Sequence, residues 1–581
     1  ISGIRLGGAA TDRNMTISGL GTNGQVGVRV FGNSDNCTLN NLVIFCAGTL
    51  TSTSVRGVDI RYSSATQIPD SSVVDYVYVK RAGVGIRVEG FNVTSPVTRT
   101  WIQNCSIATG AGDSVGATGI STTNTLNPVI RGNTVRNLYG TGTVSGIFIG
   151  TQCGAAQVIN NSIATLRTTG TGSNVNGITQ NSTQDVGGLR YYNNMISDIN
   201  GVATGTGPIY GFYISGGSNS VADTFYYNSV NLSGTGTGLR KSAALGLEYF
   251  GGTPIVVVRN NVFVNTRQDG LGVNSFATAI YKAIPLAGIN SDYNDLYVSP
   301  TPDTTRATGV FFRATNSYFK YATLGNWRFG TGLDNNSVVE NPAFLSATDL
   351  HLNPATPTSL ESSGTPVSVA SDIDGQARNA ATPDIGADEG SFIRVDVMPP
   401  VIAHTALPPA PTTGGRVASS TITDVTGIPT GTGGPRLWHK NSTDPTYTAA
   451  VVDSVRGSVY YFMIPGRATG TTVQYYLAAQ DSAPANNVGT WPPGGSGINP
   501  PGSTAPANVF SYIVQSPLAA GSYTVGVGGY FPTLDSAFRK LSLDGIAGAV
   551  TLNLTDSVYA IPGKPRRILK ESEPEYVEVN G

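Results

Sequence analysis

The sequence predicts an all-β protein in three parts: a parallel β-helix, a β-sandwich, and the opening elements of a further β-helix. Two motifs recurring in step over about ten periods predict the first part. Alternating apolar runs between Pro- and Gly-rich turns predict the second. A late switch to helical spacing predicts the third.

The first motif is polar-Asn-x-apolar. It runs Asn40-Asn41-Leu42-Val43, Asn104-Cys105-Ser106-Ile107, Gly132-Asn133-Thr134-Val135, Asn160-Asn161-Ser162-Ile163 and Asn193-Asn194-Met195-Ile196. It continues as Tyr227-Asn228-Ser229-Val230, Asn260-Asn261-Val262-Phe263 and Tyr293-Asn294-Asp295-Leu296. With Asn14 and Asp75 added, its second position recurs every 27 to 34 residues. The second motif is a small residue before an apolar one: Gly27, Gly57, Gly85, Gly119, Gly146, Gly177, Gly211, Gly246, Ala279 and Gly309.

Short alternating stretches such as 85–90 and 146–150 read as strands, and nothing between them has helical spacing. Crossover helices are thereby excluded, so one period of about 30 residues is one coil of two or three strands. Asparagine suits the coil corners because it tolerates the left-handed conformation, and its amides can stack as a ladder along the axis. The small residue of the second motif is expected to open another bend. Ten coils at ~4.8 Å each make a rod on the order of 50 Å long.

Composition agrees. Charged residues are 12%, about half the usual quarter, and there are 73 glycines. Thirty-five basic residues against 36 acidic ones leave no basic stripe, so nucleic acid is not an expected partner. No apolar run reaches the roughly 20 residues of a membrane span, and no signal-peptide pattern opens the chain. Cys37, Cys46, Cys105 and Cys153 fit neither a disulfide framework nor a zinc spacing, and are expected as buried free thiols.

From about residue 335 the rhythm gives way to segments 340–344, 349–354, Asp372-Ile373-Asp374-Gly375-Gln376-Ala377-Arg378 and Pro383-Asp384-Ile385-Gly386-Ala387-Asp388-Glu389. Coils with this ending resemble the right-handed parallel β-helix proteins of the pectin-lyase-like superfamily, in particular large secreted surface proteins of Bacteroidetes-type bacteria. The resemblance covers residues 1–392. It implies a right-handed β-helix, an extracellular location and export by a type IX system.

Residues 393–515 carry runs at 436–439, 459–466, 472–479 and 509–514, and resemble Ig-like or fibronectin-III-like spacer modules. In 516–581, Thr533 is a cap candidate for a helix whose Leu534, Ala537, Phe538 and Leu541 share a face, with Gly545 as its stop. A strand follows at 549–555. In the same superfamily this order resembles the N-terminal cap of a β-helix. The chain thus reads as starting inside one β-helix and ending inside the next, with 576–581 resembling a first-coil strand that residues 1–5 would follow. Copies of the chain joined head to tail, through the open coil at Ile1 and segment 516–581, are the expected partners. The charged segment from Lys564 to Glu578 departs from the family pattern at that junction.

Chemistry is sparse. A lyase needs a cation-bound carboxylate group and a Lys or Arg base, and a hydrolase needs paired carboxylates. The coils offer Asp59, Glu89, Asp113 and Glu248 on different coils, which read as isolated, so no catalytic residue is expected. His351, His404 and His439 lie apart in sequence. Asp372 and Asp374 have the spacing of the start of a calcium loop without its distal ligands, and are the one metal candidate; no other cofactor is expected. The competing structural reading makes them turns that seal the last coil, with Arg378 paired to a carboxylate. Gly-rich runs at 110–112, 169–173 and 204–207 lack the Lys-Ser/Thr of a phosphate loop. Asp-Ser-Val/Ala triplets, as at Asp113 and Asp453, match the O-glycosylation pattern of that bacterial group.

The expected function is a non-enzymatic, extracellular structural or adhesive protein. The alternatives are a carbohydrate-cleaving β-helix, and a glycan-binding one using Tyr191, Tyr192, Tyr226 and Tyr227, of which half would point into the rod.

Overall fold

Each strand of a period pairs with the strands one period before and after it. In the computed structural model, Ile107 lies opposite Val79 and Val135, Ile130 opposite Ile102 and Val158, and Ile147 opposite Ile120 and Ile178, always in parallel. The structure describes residues 15–19, 25–46, 51–110, 112–182, 187–216, 221–248, 255–270, 272, 275–283, 288–299, 306–314, 317–410, 413–515, 517–561 and 564–566. Asn14, the open coil at Ile1 and the segment 576–581 lie outside the described residues. The chain forms two compact units, Ile1–Val397 and Met398–Gly581.

The first unit is a parallel β-helix of three long sheets, with two short parallel ones of two and three strands among the described residues. Among the described residues the first sheet has ten strands, from Met15–Gly19 to Asp295–Val298, and the second has nine, from Thr38–Asn40 to Ile289–Asp292. The third begins at Val26–Phe31 and reaches Arg306–Ala314, after which Ser317–Tyr321 folds back antiparallel. Inward rows fill the rod: Ile44, Val79, Ile107, Val135, Ile163, Ile196, Val230, Phe263 and Leu296 form one such row, buried rung after rung. Each such side chain contributes ~1.5–3 kcal/mol by leaving water.

The glycine ladder answers to this row. A Cβ on Gly57 would stand 2.2 Å from Val79 Cγ1, and one on Gly146 2.5 Å from Ile163 Cγ2. Gly27, Gly85, Gly119, Gly177 and Gly211 meet the corresponding residues in the same way. These glycines lie within the strands of the third sheet, not at the bend the sequence suggested; they admit the side chains arriving from the first sheet. The register also moves two members of the ladder. Leu245 pairs with Phe212, so Ala244 rather than Gly246 continues from Gly211; Gly309 pairs with Ile280, so Thr308 follows Ala279.

The last coil is closed by a helix that the sequence reading missed, α1 (Leu324–Thr331). Thr323 caps it by accepting from Asn326 N–H, and Gly332 ends it in the left-handed conformation at φ 72°. The fully buried Trp327 stacks on Phe311 at 4.9 Å and lies across Gly309, where any Cβ would collide with the indole. Only eight residues long and holding a single aromatic anchor, α1 lacks the repeated apolar spacing that reveals longer helices.

In the second unit, eight strands from Val401–Ala403 to Phe510–Ile513 pair antiparallel into a β-sandwich. Its core gathers Ile422, Leu437, Phe462, Ile464, Tyr475 and Leu477. All four runs read from the sequence are strands: Arg436–Asn441, Val459–Ile464, Thr472–Gln480 and Phe510–Ile513. The later helix, α2 (Leu534–Asp544), starts at Thr533 in a capping box with Ser536 and ends at Gly545. It lies between two parallel strands, Gly521–Val525 and Val550–Leu554. Leu534 and Ala537 are buried beside Val525 and Phe531, but Phe538 is 42% exposed, because the surface that α2 covers is narrower than its apolar stripe. Of the charged segment, Lys564–Arg566 pairs antiparallel with Tyr559–Ile561.

Gly177→Ala puts a methyl 2.3 Å from Ile196 Cγ2 and 2.7 Å from the Gly211 carbonyl oxygen. It is expected to destabilise the first unit by about 1–3 kcal/mol, read as a lower urea midpoint. Gly142→Ala, which meets nothing within 4 Å, should stay within about 0.5 kcal/mol of the parent.

Candidate functional site

The asparagine doublet at each corner divides two tasks that the sequence reading assigned to one residue. The first position takes the left-handed turn: Asn104, Gly132, Asn160, Asn193, Tyr227, Asn260 and Tyr293 all have φ between 52° and 64°. The second position points inward and forms the ladder. Nδ2 of Asn133 donates to Oδ1 of Asn161 at 3.0 Å; Asn161 to Asn194, Asn194 to Asn228, Asn228 to Asn261 and Asn261 to Asn294 follow at 2.9 Å. Each Oδ1 also accepts the backbone N–H of the preceding asparagine, and each Nδ2 also reaches a backbone carbonyl, as Asn161 reaches Ile130.

The ladder is shorter than the motif. By strand register, Leu42 and Val77 occupy its place in the early rungs. Asn41 sits at the left-handed position with φ 56°, and Asp75 falls one residue before that position, so neither joins the ladder. Cys105 begins the bonded series, its N–H donating to Asn133 Oδ1 at 2.9 Å. At the far end Asn294 donates to Asp334 Oδ1 at 3.1 Å, and Asp334 Oδ2 accepts from Trp327 Nε1 at 2.8 Å. The amide series therefore ends on the carboxylate that holds the α1 lid. Cys46, Cys105 and Cys153 are buried free thiols and Cys37 is half-buried.

The first-position side chains carry a second structure, a strap formed by residues 340–397. Asn160 Nδ2 donates to the Asp372 and Ile373 carbonyls, and Asn193 Nδ2 to the Ser371 carbonyl at 2.7 Å. Asn260 exchanges two bonds with Thr365, at 2.7 and 2.9 Å. Arg378 fastens the strap: it pairs with Glu389 at 3.0 Å, donates to Asn193 Oδ1 at 2.9 Å, and lies 4.0 Å over the Tyr227 ring. The strap thus runs along the corners of middle coils, whereas α1 closes the last coil, the place the sequence reading gave to the Asp372 turn.

The calcium candidate is divided by this turn. Both oxygens of Asp372 are taken by backbone N–H groups, of Asp374 and Gln376 on one side and Glu389 on the other. Asp374 instead approaches His351, with Oδ2 2.8 Å from Nε2. His351, Asp374 and Asp388 offer ligand atoms within 4.8 Å of one another, and His351 Nδ1 contacts Asp349 at 2.5 Å. Burial pulls the His351 imidazole down, but the Asp349 hydrogen bond and the charges of Asp388 and Asp374 outweigh it and hold its pKa above the ordinary value. Asp349-x-His351 and Asp372-x-Asp374 were both visible in sequence; their meeting depends on the fold of the strap. His404, in the other unit, has both nitrogens engaged, by the Ser419 carbonyl and Tyr475.

The coil acids are not isolated, as the sequence suggested. Asp59 is fully buried under Arg29, Arg56 and Arg87, at 3.2, 3.4 and 2.8 Å, and Arg87 also bridges to Glu89 on its own strand at 2.8 Å. Asp113 accepts from Tyr78, and Glu248 meets Tyr210 and Lys241. Of the four tyrosines, Tyr191 points into the core and Tyr227 lies under the strap. Tyr192 and Tyr226 stack on the outer face at 5.1 Å, with a 10° angle between rings.

Asn194→Ala would strip acceptors and donors from both neighbouring rungs, and is expected to cost about 3–5 kcal/mol by denaturant unfolding. Adding Asn228→Ala should cost less than the sum of the two single changes, since both break one series. A pH effect follows from two buried acids. Burial, with the charges of Glu389 and Glu361, pushes Asp384 from the ordinary 3.8 up to about 7, and burial pushes Asp223 up to about 6. Raised folded-state values mean that the native state binds more protons between about pH 4 and 7, so this stability is complete below the window and is lost as pH rises through it. The denaturation midpoint of the first unit should show this fall, and Asp384→Asn should flatten it. No family model matches the sequence, and no curated protein is significantly similar to it.

Proposed function

We propose that this chain is an extracellular structural or adhesive surface protein, a repeating unit of a head-to-tail modular fibre, without catalysis. The observation that carries the reading is the unbroken amide series from Cys105 to the lid, because it resists shear between coils along the axis. The β-sandwich serves as an Ig-like or fibronectin-III-like spacer, and segment 516–581 as the entry to a following β-helix. The strand–helix–strand order around α2 supports that role. The coil acids are engaged by arginine, lysine or tyrosine partners, which favours a structural use for them. Among the described residues, no helix is long and apolar enough to cross a membrane.

A second reading, glycan binding, is favoured by the outer Tyr192–Tyr226 stack, whose strand neighbours include Arg259 on the next rung. Planar aromatic faces with an adjacent cation suit sugar rings that bear carboxylates. Electron microscopy of the native assembly separates the readings. A periodic fibre is expected; discrete particles that cleave glycans would reject the fibre, and glycan binding lost in Tyr192→Ala would establish the second reading.

A further inference from the structure

The strap turns bring together one imidazole and two carboxylates that contribute nothing to the ladder or to the contacts with the corners. Among the described residues His351 Nε2 is shut off from solvent and has no hydrogen-bond partner, although Asp374 Oδ2 is only 2.8 Å away. At that distance the missing bond means that the oxygen lies off the direction in which the nitrogen points. Ligands around a shared ion have this relation: each faces the metal at about 2.0–2.2 Å and lies beside its neighbours, not in line with them. On the ring's other side, Asp349 contacts Nδ1, which fixes that nitrogen as the protonated one and turns the Nε2 lone pair inward. Asp388 is only 7% exposed, and among the described residues its carboxyl receives a single hydrogen bond, from Leu352 N–H at 2.8 Å. No lysine or arginine forms an ion pair with Asp374 or Asp388 among the described residues.

We propose that His351, Asp374 and Asp388 bind a first-row transition-metal dication, with Asp349 orienting the imidazole. One imidazole nitrogen and two carboxylate oxygens, with water in the fourth position, suit Zn²⁺. Calcium requires six to eight oxygens, which this set does not supply. The ion joins three separate stretches of the strap, around residues 351, 374 and 388, and so locks the strap into its docked form. The site is independent of the fibre reading.

The test uses the full chain, stripped with chelator and dialysed against Zn²⁺. One equivalent of zinc per chain and a raised melting temperature are expected, with millimolar Ca²⁺ failing to displace the zinc. Asp374→Asn, at a side chain 52% exposed and therefore safe for folding, should abolish both effects, as should His351→Gln. Asp349→Asn should weaken binding by about 10–100-fold. Absence of stoichiometric uptake, uptake unchanged in both Asp374→Asn and His351→Gln, or displacement of zinc by calcium would overturn the proposal.

Discussion

An asparagine side chain can donate two hydrogen bonds and accept two, and the first unit uses this full capacity at Asn161, Asn194, Asn228 and Asn261. The remaining architecture depends on that. A corner inside a packed rod buries backbone N–H groups which, left unpaired, would cost about 1–3 kcal/mol each. The amide of the next rung supplies their acceptor, and its own NH₂ group continues the series. Aspartate could accept but not donate, and glutamine would reach too far. The series ends where an acceptor alone is needed, at Asp334, which also receives the Trp327 indole.

The same corner faces outward through the residue before it. A left-handed turn projects that residue's side chain away from the core, and where it is asparagine its amide can bind a passing main chain. Asn160, Asn193 and Asn260 do so with the strap. One dipeptide therefore sets both the internal register of the coils and the path of the segment laid over them. Arg378 adds charge and ring contact at the centre of this path, with Glu389 pairing to its guanidinium.

The fixed spacing of the asparagine motif extends into the early rungs, where Leu42 and Val77 replace the ladder amide and the nearby Asn41 imitates it. Gly246 and Gly309 matched the small-apolar pattern by composition, while pairing assigns their roles to Ala244 and Thr308. A glycine needed for close approach and one needed for a bend look alike in sequence. The acids look isolated because most of their partners lie 28 to 38 residues away along the chain; stacking makes Arg87 the neighbour of Asp59.

Periodicity by itself determined that this chain stacks coils, because residues one period apart must become axial neighbours once strands pair in parallel. It also determined that asparagine lines one corner, that a sandwich follows, and where α2 is capped. Tertiary structure alone decided which asparagine of each doublet faces inward, which glycines admit a side chain, and how α1 closes the rod. It alone brought His351 to Asp374 and Asp388. These outcomes depend on contacts between stretches tens to hundreds of residues apart, whose geometry is set by packing and leaves no local pattern in the sequence.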